Sequence, residues 1–295
     1  MASRYSLWRV GGGASAIRWI LDRLRGRKRS GNGNALNSAT EPDDDDAYTL
    51  FEGTTLRLHD LSTERLEDLG PDPGLLPGAF RIRIARSRES RAEAGSLVKR
   101  RYVSRGYRLS GGKAPDPHLF TFVAYNSGDL VGTVSLRLDS EKGLSADELY
   151  KHEVDALRRP DSRLCEFTRL AIDVSAASKS VLASLFHTAY LFAYRVRGYD
   201  SAVIEVNPRH VVFYERALGF RVIGPERLSP RVNAPAVLLC VRFETVAEGV
   251  AKYAGRPDLA KSTRLLFPYG FSAKDEEGIL GRLRVFSGSE VAATI

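Results

Sequence analysis

A chain of 295 residues with 43% apolar composition holds enough hydrophobic surface for one large core with extensions. Its two cysteines, Cys165 and Cys240, both sit in apolar runs, which excludes a disulfide framework and a zinc site and fits a reducing compartment. The net charge of +8 is uneven, with eight basic groups against one acid in residues 1–30 and five acids in residues 41–46. Charge of this sign leaves nucleic acid, an anionic membrane and an acidic protein partner open. No apolar run reaches the ~18 residues of a membrane helix.

Residues 1–47 lack the periodic apolar positions that a core needs and read as a tail. Within it, Ile17, Ile20, Leu21 and Leu24 recur at helical spacing opposite Arg18, Arg25, Arg27 and Lys28. Residues 17–29 therefore read either as a basic amphipathic helix lying on a membrane surface or as a solvated arm. No uninterrupted apolar stretch of a secretory signal follows the basic start, so a cytoplasmic location is expected. Residues 48–78 read as a linker.

The core is expected over residues 79–243. Phe80, Ile82 and Ile84 alternate with Arg81 and Arg83, the period of a half-buried strand, and Ser87 then caps a helix running to about Val103. Residues 118–124 and 130–138 flank Asn126-Ser-Gly-Asp129, a hairpin signal. Ser145 with Glu148 reads as a capping box for a helix that ends at Arg159-Pro160.

Residues 164–174 read as the central strand, 176–198 as a helix apolar almost all round, and 202–206 as a second strand. Pro208 opens a further helix that Gly219 ends, and residues 220–223 and 234–243 close the sheet as an antiparallel pair. Strand, helix, strand in this order is a parallel pairing with a crossover. Residues 244–295 form a C-terminal extension: a helix near 245–253, an apolar loop at 265–271, and a loosely packed appendage over the last twenty residues.

Glu166-Phe-Thr-Arg169-Leu-Ala-Ile-Asp173, Asn207-Pro-Arg-His-Val-Val-Phe-Tyr214 and Leu218-Gly-Phe220 resemble the long-chain N-acyl amino acid synthases, relatives of the acyl-homoserine lactone synthases. Arg101-Tyr-Val-Ser-Arg-Gly-Tyr107, Gly132-Thr-Val-Ser-Leu and Gly143-Leu-Ser-Ala-Asp-Glu-Leu-Tyr150 look like the same family, and the resemblance covers about residues 80–243. It implies an α/β (α+β) GNAT acyltransferase fold, a central mixed twisted sheet flanked by helices. It also implies transfer of a fatty acyl group from a thioester to the amino group of an amino acid, with no part for nucleic acid.

Amide formation from a thioester needs a base for the attacking amine, oxyanion donors and a way to expel the thiolate. Glu166, in a strand otherwise of Cys, Phe, Leu, Ala and Ile, reads as a desolvated carboxylate with a raised pKa that suits a base; the competing reading is a structural partner of an arginine. Arg169 is either a bidentate holder of the acceptor carboxylate or a structural ion pair. Three residues apart on a straight strand, Glu166 and Arg169 face opposite sides, so they share a site only across a bulge, which the GNAT fold is known for in this strand.

Tyr214 lies where GNAT enzymes often keep the acid for the leaving thiolate, and equally where a helix packs an aromatic. Asp139 is an acceptor-site candidate from the family pattern, and Thr168, on the strand of Glu166, is a further substrate-binding candidate. Asn207 is a substrate-binding candidate or else a helix cap with no chemistry, and His210 reads as a surface residue rather than a base.

The donor that the resemblance implies is an acyl-phosphopantetheine on a carrier protein, or acyl-CoA, as co-substrate rather than a tightly bound cofactor. GNAT enzymes that use coenzyme A carry an Arg/Gln-x-x-Gly-x-Gly/Ala turn that closes around pyrophosphate. Here it reads Ala177-Ser-Lys-Ser180-Val-Leu182, where side chains replace both glycines. Ser178, Lys179 and Ser180 at the helix start still suit a single phosphodiester. Lys99, Arg100, Arg101, Arg105 and Arg108 form a basic run that fits an acidic acyl carrier protein. The rival readings are an acetyl-CoA N-acetyltransferase on the same fold and a non-catalytic acyl-carrier or lipid binding module.

Overall fold

The structure is a computed structural model that describes residues 48–53, 80–107, 116–173 and 179–292. The expectations for residues 1–47, for most of 48–78 and for Ser178 fall outside the described residues.

Alternation builds the sheet. In β2 (Phe80–Ile84) the three apolar side chains are buried and the two arginines half-buried. Strand β1 (Thr49–Gly53) pairs antiparallel with β2 and buries Leu50 in the main core, which corrects the linker reading over those residues. Strands β3 (Leu119–Asn126) and β4 (Asp129–Leu138) form the expected hairpin. Its two central residues, Ser127 and Gly128, have φ of 52° and 91°, the pair of positive values that matches the strands' right-handed twist.

Strand β5 (Leu164–Ile172) lies antiparallel to β4 and parallel to β6 (Ser201–Val206). Strand β9 (Ala234–Arg242) returns antiparallel to β6, and both β7 (Arg221–Val222) and β8 (Arg227–Ser229) pair with it. Among the described residues the order is β1-β2-β3-β4-β5-β6-β9-β7, with β8 also on β9.

Two irregularities place the site. The β4–β5 register jumps from Thr133↔Ala171 to Ser135↔Thr168, so a bulge falls at Arg169 and Leu170, and Arg169 takes a φ of +53°. The β5–β6 ladder pairs Leu164 with Ser201 through Phe167 with Ile204 and goes no further, although both strands continue. The sheet therefore splays open beside Thr168 and Arg169.

Helix α1 (Arg88–Val103) starts where expected, with the Ser90 amide donating to the Ser87 hydroxyl at 3.0 Å. Helix α2 (Asp147–Leu157) has Ala146 at its N-cap and no side-chain cap bond, so the Ser145–Glu148 capping box does not form. It is anchored instead by Tyr150, whose hydroxyl lies 2.6 Å from the Ala236 carbonyl and 2.9 Å from that of Pro225. Helix α3 (Lys179–Tyr190) continues as a π-helical turn over Leu191–Val196. Pro208–His210 form a 3-10 turn before α4 (Val211–Leu218), which ends at Gly219 with φ of 77°.

Cys165 and Phe167 face the large core beneath α3, while Leu164 and Glu166 face α2. The extension packs on the first of these faces. It comprises α5 (Phe243–Tyr253), a 3-10 turn at Phe267–Tyr269 and α6 (Ala273–Ala292). The reading of the last twenty residues as a loose appendage is corrected: Ile279, Leu280, Leu283 and Phe286 of α6 are all buried in the main core, and the Arg282 guanidinium donates to the Leu50 carbonyl. Their spacing puts one apolar stripe on one helix face, and β1 with the π-helical turn is what it packs against.

Candidate active site

Glu166 is 1% exposed and accepts a 2.6 Å hydrogen bond on Oε2 from the Ser145 amide. Burial, with the Glu205 charge added to it, pushes its pKa up to about 7 against the opposing pull of Arg231 and Ser145. A carboxyl poised there is a base at neutral pH without being a permanently ionised group in an apolar site.

Three side chains that the sequence reading did not single out share this environment. Glu205 lies on β6 two residues beyond Val203, the register partner of Glu166, and its pKa is raised by burial. Arg231, in the turn between β8 and β9, forms an ion pair with Glu205 and stands 3.5 Å from Glu148. Arg137 on β4 is the direct register partner of Glu166 and is itself paired with Asp116. Glu205 was legible as a lone acid in an apolar strand, the same signal that pointed to Glu166; Arg231 in its turn carried no such signal.

Arg169, at the bulge, is an exposed residue, yet partial burial of its guanidinium holds its pKa down, with Arg137 adding to this and Tyr102, Asp116 and Glu166 opposing it. Thr168, half-buried, pairs with Ser135, whose hydroxyl is 2.8 Å from that of Thr121. Tyr214 is 7% exposed, ringed edge-on by Phe186, Phe213 and Phe220. Burial and the neighbouring Tyr102 phenol push its pKa upward, so it stays protonated. Tyr102 of α1 thus interacts with both Arg169 and Tyr214, and its own phenol is also held up by burial.

The remaining candidates fall elsewhere. Both carboxylate oxygens of Asp139 are held by Arg158, at 2.7 and 3.0 Å, and Arg158 also grips Asp147 and Asp155. Asn207 caps the turn before α4: its Oδ1 accepts from the Arg209 amide at 3.3 Å and its Nδ2 donates to the Pro235 carbonyl at 3.2 Å. Lys179 places its ammonium 5.3 Å from the Tyr269 ring centre, and Ser180 is half-buried in the first turn of α3. The Cys165 thiol is buried and its pKa pushed well up, which leaves it inert as a nucleophile. Among the described residues no cluster of three metal-ligating side chains occurs, and no helix is long and apolar enough to cross a membrane.

The structure of FeeM, an N-acyl amino acid synthase from uncultured soil microbes, superposes with a TM-score of 0.52 and 27% identity over 58% of this chain and 95% of that one. The acyl-homoserine lactone synthase LasI gives 0.40 and 14% over 57% and 91%, and an N-acetyltransferase from Staphylococcus aureus Mu50 gives 0.39 and 14% over 56% and 98%. No curated protein matches the sequence. The family profile of N-acyl amino acid synthase FeeM matches residues 93–242, from within α1 to the last residue of β9. A match of that extent, over half of the sequence, makes this chain a member of the N-acyl amino acid synthase FeeM family and an N-acyltransferase of GNAT fold.

Proposed function

We propose that the protein transfers a long-chain fatty acyl group from an acyl-carrier-protein thioester to the amino group of an amino acid. The observation that carries this reading is the buried Glu166 carboxyl, with a pKa near 7, beside the bulge that presents Arg169 and the gap between β5 and β6. Glu166 receives the proton that the acceptor nitrogen sheds as the C–N bond forms and the C–S bond breaks. Tyr214, kept protonated by burial, supplies the proton that the sulfur gains. Solvent returns the proton from Glu166 to Tyr214, so the step balances.

Arg169 holds the acceptor's α-carboxylate, since its partly desolvated guanidinium forms no ion pair among the described residues and suits a bidentate carboxylate partner. Asp139 serves by holding Arg158 and the start of α2, whose preceding amide at Ser145 orients Glu166. Lys179 and Ser180, with Ser178, receive the phosphodiester of the phosphopantetheine arm.

The reaction belongs to residues 79–243, and the tail of residues 1–47 is a separate segment of a cytoplasmic enzyme, with residues 17–29 resting on an anionic membrane surface. Deletion of residues 1–47 then leaves activity intact and abolishes vesicle co-sedimentation; equal sedimentation of both forms contradicts the membrane part.

The decisive experiment for the reaction is mass spectrometry of lipid extracts from bacteria expressing the chain, which is expected to show long-chain N-acyl amino acids absent from control cells. Extracts that contain only N-acetylated products favour the acetyltransferase instead.

A further inference from the structure

The face of the sheet opposite Glu166 holds a cavity whose lining is apolar except for His187 and Tyr190. Its buried side is Phe167, the residue that follows Glu166, with Phe186 of α3 and Phe220; its solvent side is made by Val246 and Val250 of α5 and by Phe267, all half-buried. These last three lie in the C-terminal extension, beyond the residues 93–242 that define the family. Phe167 is also the last β5 residue paired with β6, so the opening of the sheet begins next to a residue that lines this cavity.

Phe267 is fixed in place from two sides. Its ring lies so close to Gly249 that a Cβ there would stand 2.5 Å from Cε2, which makes room for the ring on α5 only because that residue is glycine. Behind it, Gly270 abuts the His187 imidazole, and His187 Nδ1 accepts from the Phe271 amide at 3.2 Å while Nε2 stands 3.6 Å from Glu276 of α6. His187, 5% exposed, is thereby the bolt that ties the Phe267 turn to α3 and α6.

We propose that Phe267 is the end wall of the acyl site and that, with Val246, it sets the length of acyl chain the enzyme accepts. The inference rests on the acyl-transfer reading above. A methylene gained or lost in such a pocket changes discrimination by ~10-fold or more, so one wall residue suffices to move an optimum. The wall comes from the C-terminal extension, outside residues 93–242 that the family profile matches.

The test uses the full chain, even-numbered saturated acyl thioesters from eight to eighteen carbons, and displacement of a fluorescent fatty acid by free fatty acids of the same lengths. Phe267→Ala opens the wall, so the optimum in both series moves to longer chains by at least two carbons. Val246→Phe fills the cavity, so it moves to shorter ones. Unchanged length profiles in both variants, with melting transitions that show them folded, overturn the proposal. If displacement follows the expected shifts but no acyl amino acid forms from any thioester, the acyl-transfer reading fails while the cavity's length selection stands.

Discussion

The amide of Ser145, one residue before the cap of α2, donates to Glu166 Oε2 at 2.6 Å across the sheet face. The sequence places Ser145 and Glu148 in capping-box order, yet the serine's backbone is turned toward the buried carboxylate instead. The N-terminal end of α2 therefore orients a side chain on β5, and this couples the start of a helix to the site rather than to the helix itself.

A buried carboxyl whose pKa rises from 4.5 to about 7 makes folding sensitive to pH in a definite direction. Its contribution is fully present below the unfolded pKa near 4.5 and is lost as pH rises through 7, where an ion must be kept in an apolar site. The shift corresponds to about 3 kcal/mol at its limit. Glu166→Gln, compared with the parent by denaturant unfolding, is expected to gain stability relative to it between pH 5 and pH 8 by up to that amount. A difference independent of pH shows that the carboxyl is not perturbed.

Arg169, the proposed holder of the acceptor carboxylate, sits at a strained backbone position. A non-glycine residue at φ of +53° costs on the order of 1 kcal/mol, so Arg169→Gly is expected to be about 1 kcal/mol more stable than Arg169→Ala. Both variants raise KM for the amino acid roughly 10- to 100-fold, the scale of a lost charged hydrogen-bond pair. Steady-state kinetics on an acceptor series reads the second effect, and an unchanged KM in both removes Arg169 from acceptor binding.

The C-terminal helix contributes to the core rather than hanging from it. Phe286 is 5% exposed and packs edge-on against Tyr48 and Phe120. Phe286→Ala is expected to cost about 3 to 4 kcal/mol of unfolding free energy, the range of a large aromatic deleted from a core. A loss below about 1 kcal/mol would restore the view of α6 as an appendage.

Most of the architecture was legible because strong local signals agree with one another. Alternation marked β2, Ser-Gly marked the β3–β4 turn, and Pro208 with Gly219 bracketed the segment that holds α4. What escaped reading depends on distant partners. The stripe Ile279, Leu280, Leu283 and Phe286 was visible, but Gly278, Gly281 and Gly288 lowered the helix signal, and the strand β1 that it covers lies more than two hundred residues away in sequence. Arg231 sits in a turn, where charge is ordinary, and only the fold brings it to Glu205. The bulge at Arg169 was expected from the family resemblance, since Glu-Phe-Thr-Arg alone reads as unbroken strand.

The proposed choice of a carrier-protein donor rests on charge and on the residues at the start of α3. Lys99 and Arg100 are exposed on α1, so reversing both to Glu is expected to weaken acyl-carrier-protein binding in a salt-dependent manner while acyl-CoA turnover is unaffected. The parent is expected to use the carrier thioester far better than the same acyl group on coenzyme A. Equal kcat/KM for the two donors contradicts this and supports an acetyltransferase-like donor site.

The central claim is that Glu166 is the base, and kcat/KM against pH for the parent and Glu166→Gln tests it most directly. The parent is expected to gain activity along an acid limb with an apparent pKa near 7, and the variant, still folded, to lose that limb and ~100-fold or more of its rate. Near-parental turnover in the variant with the same pH limb would contradict the account.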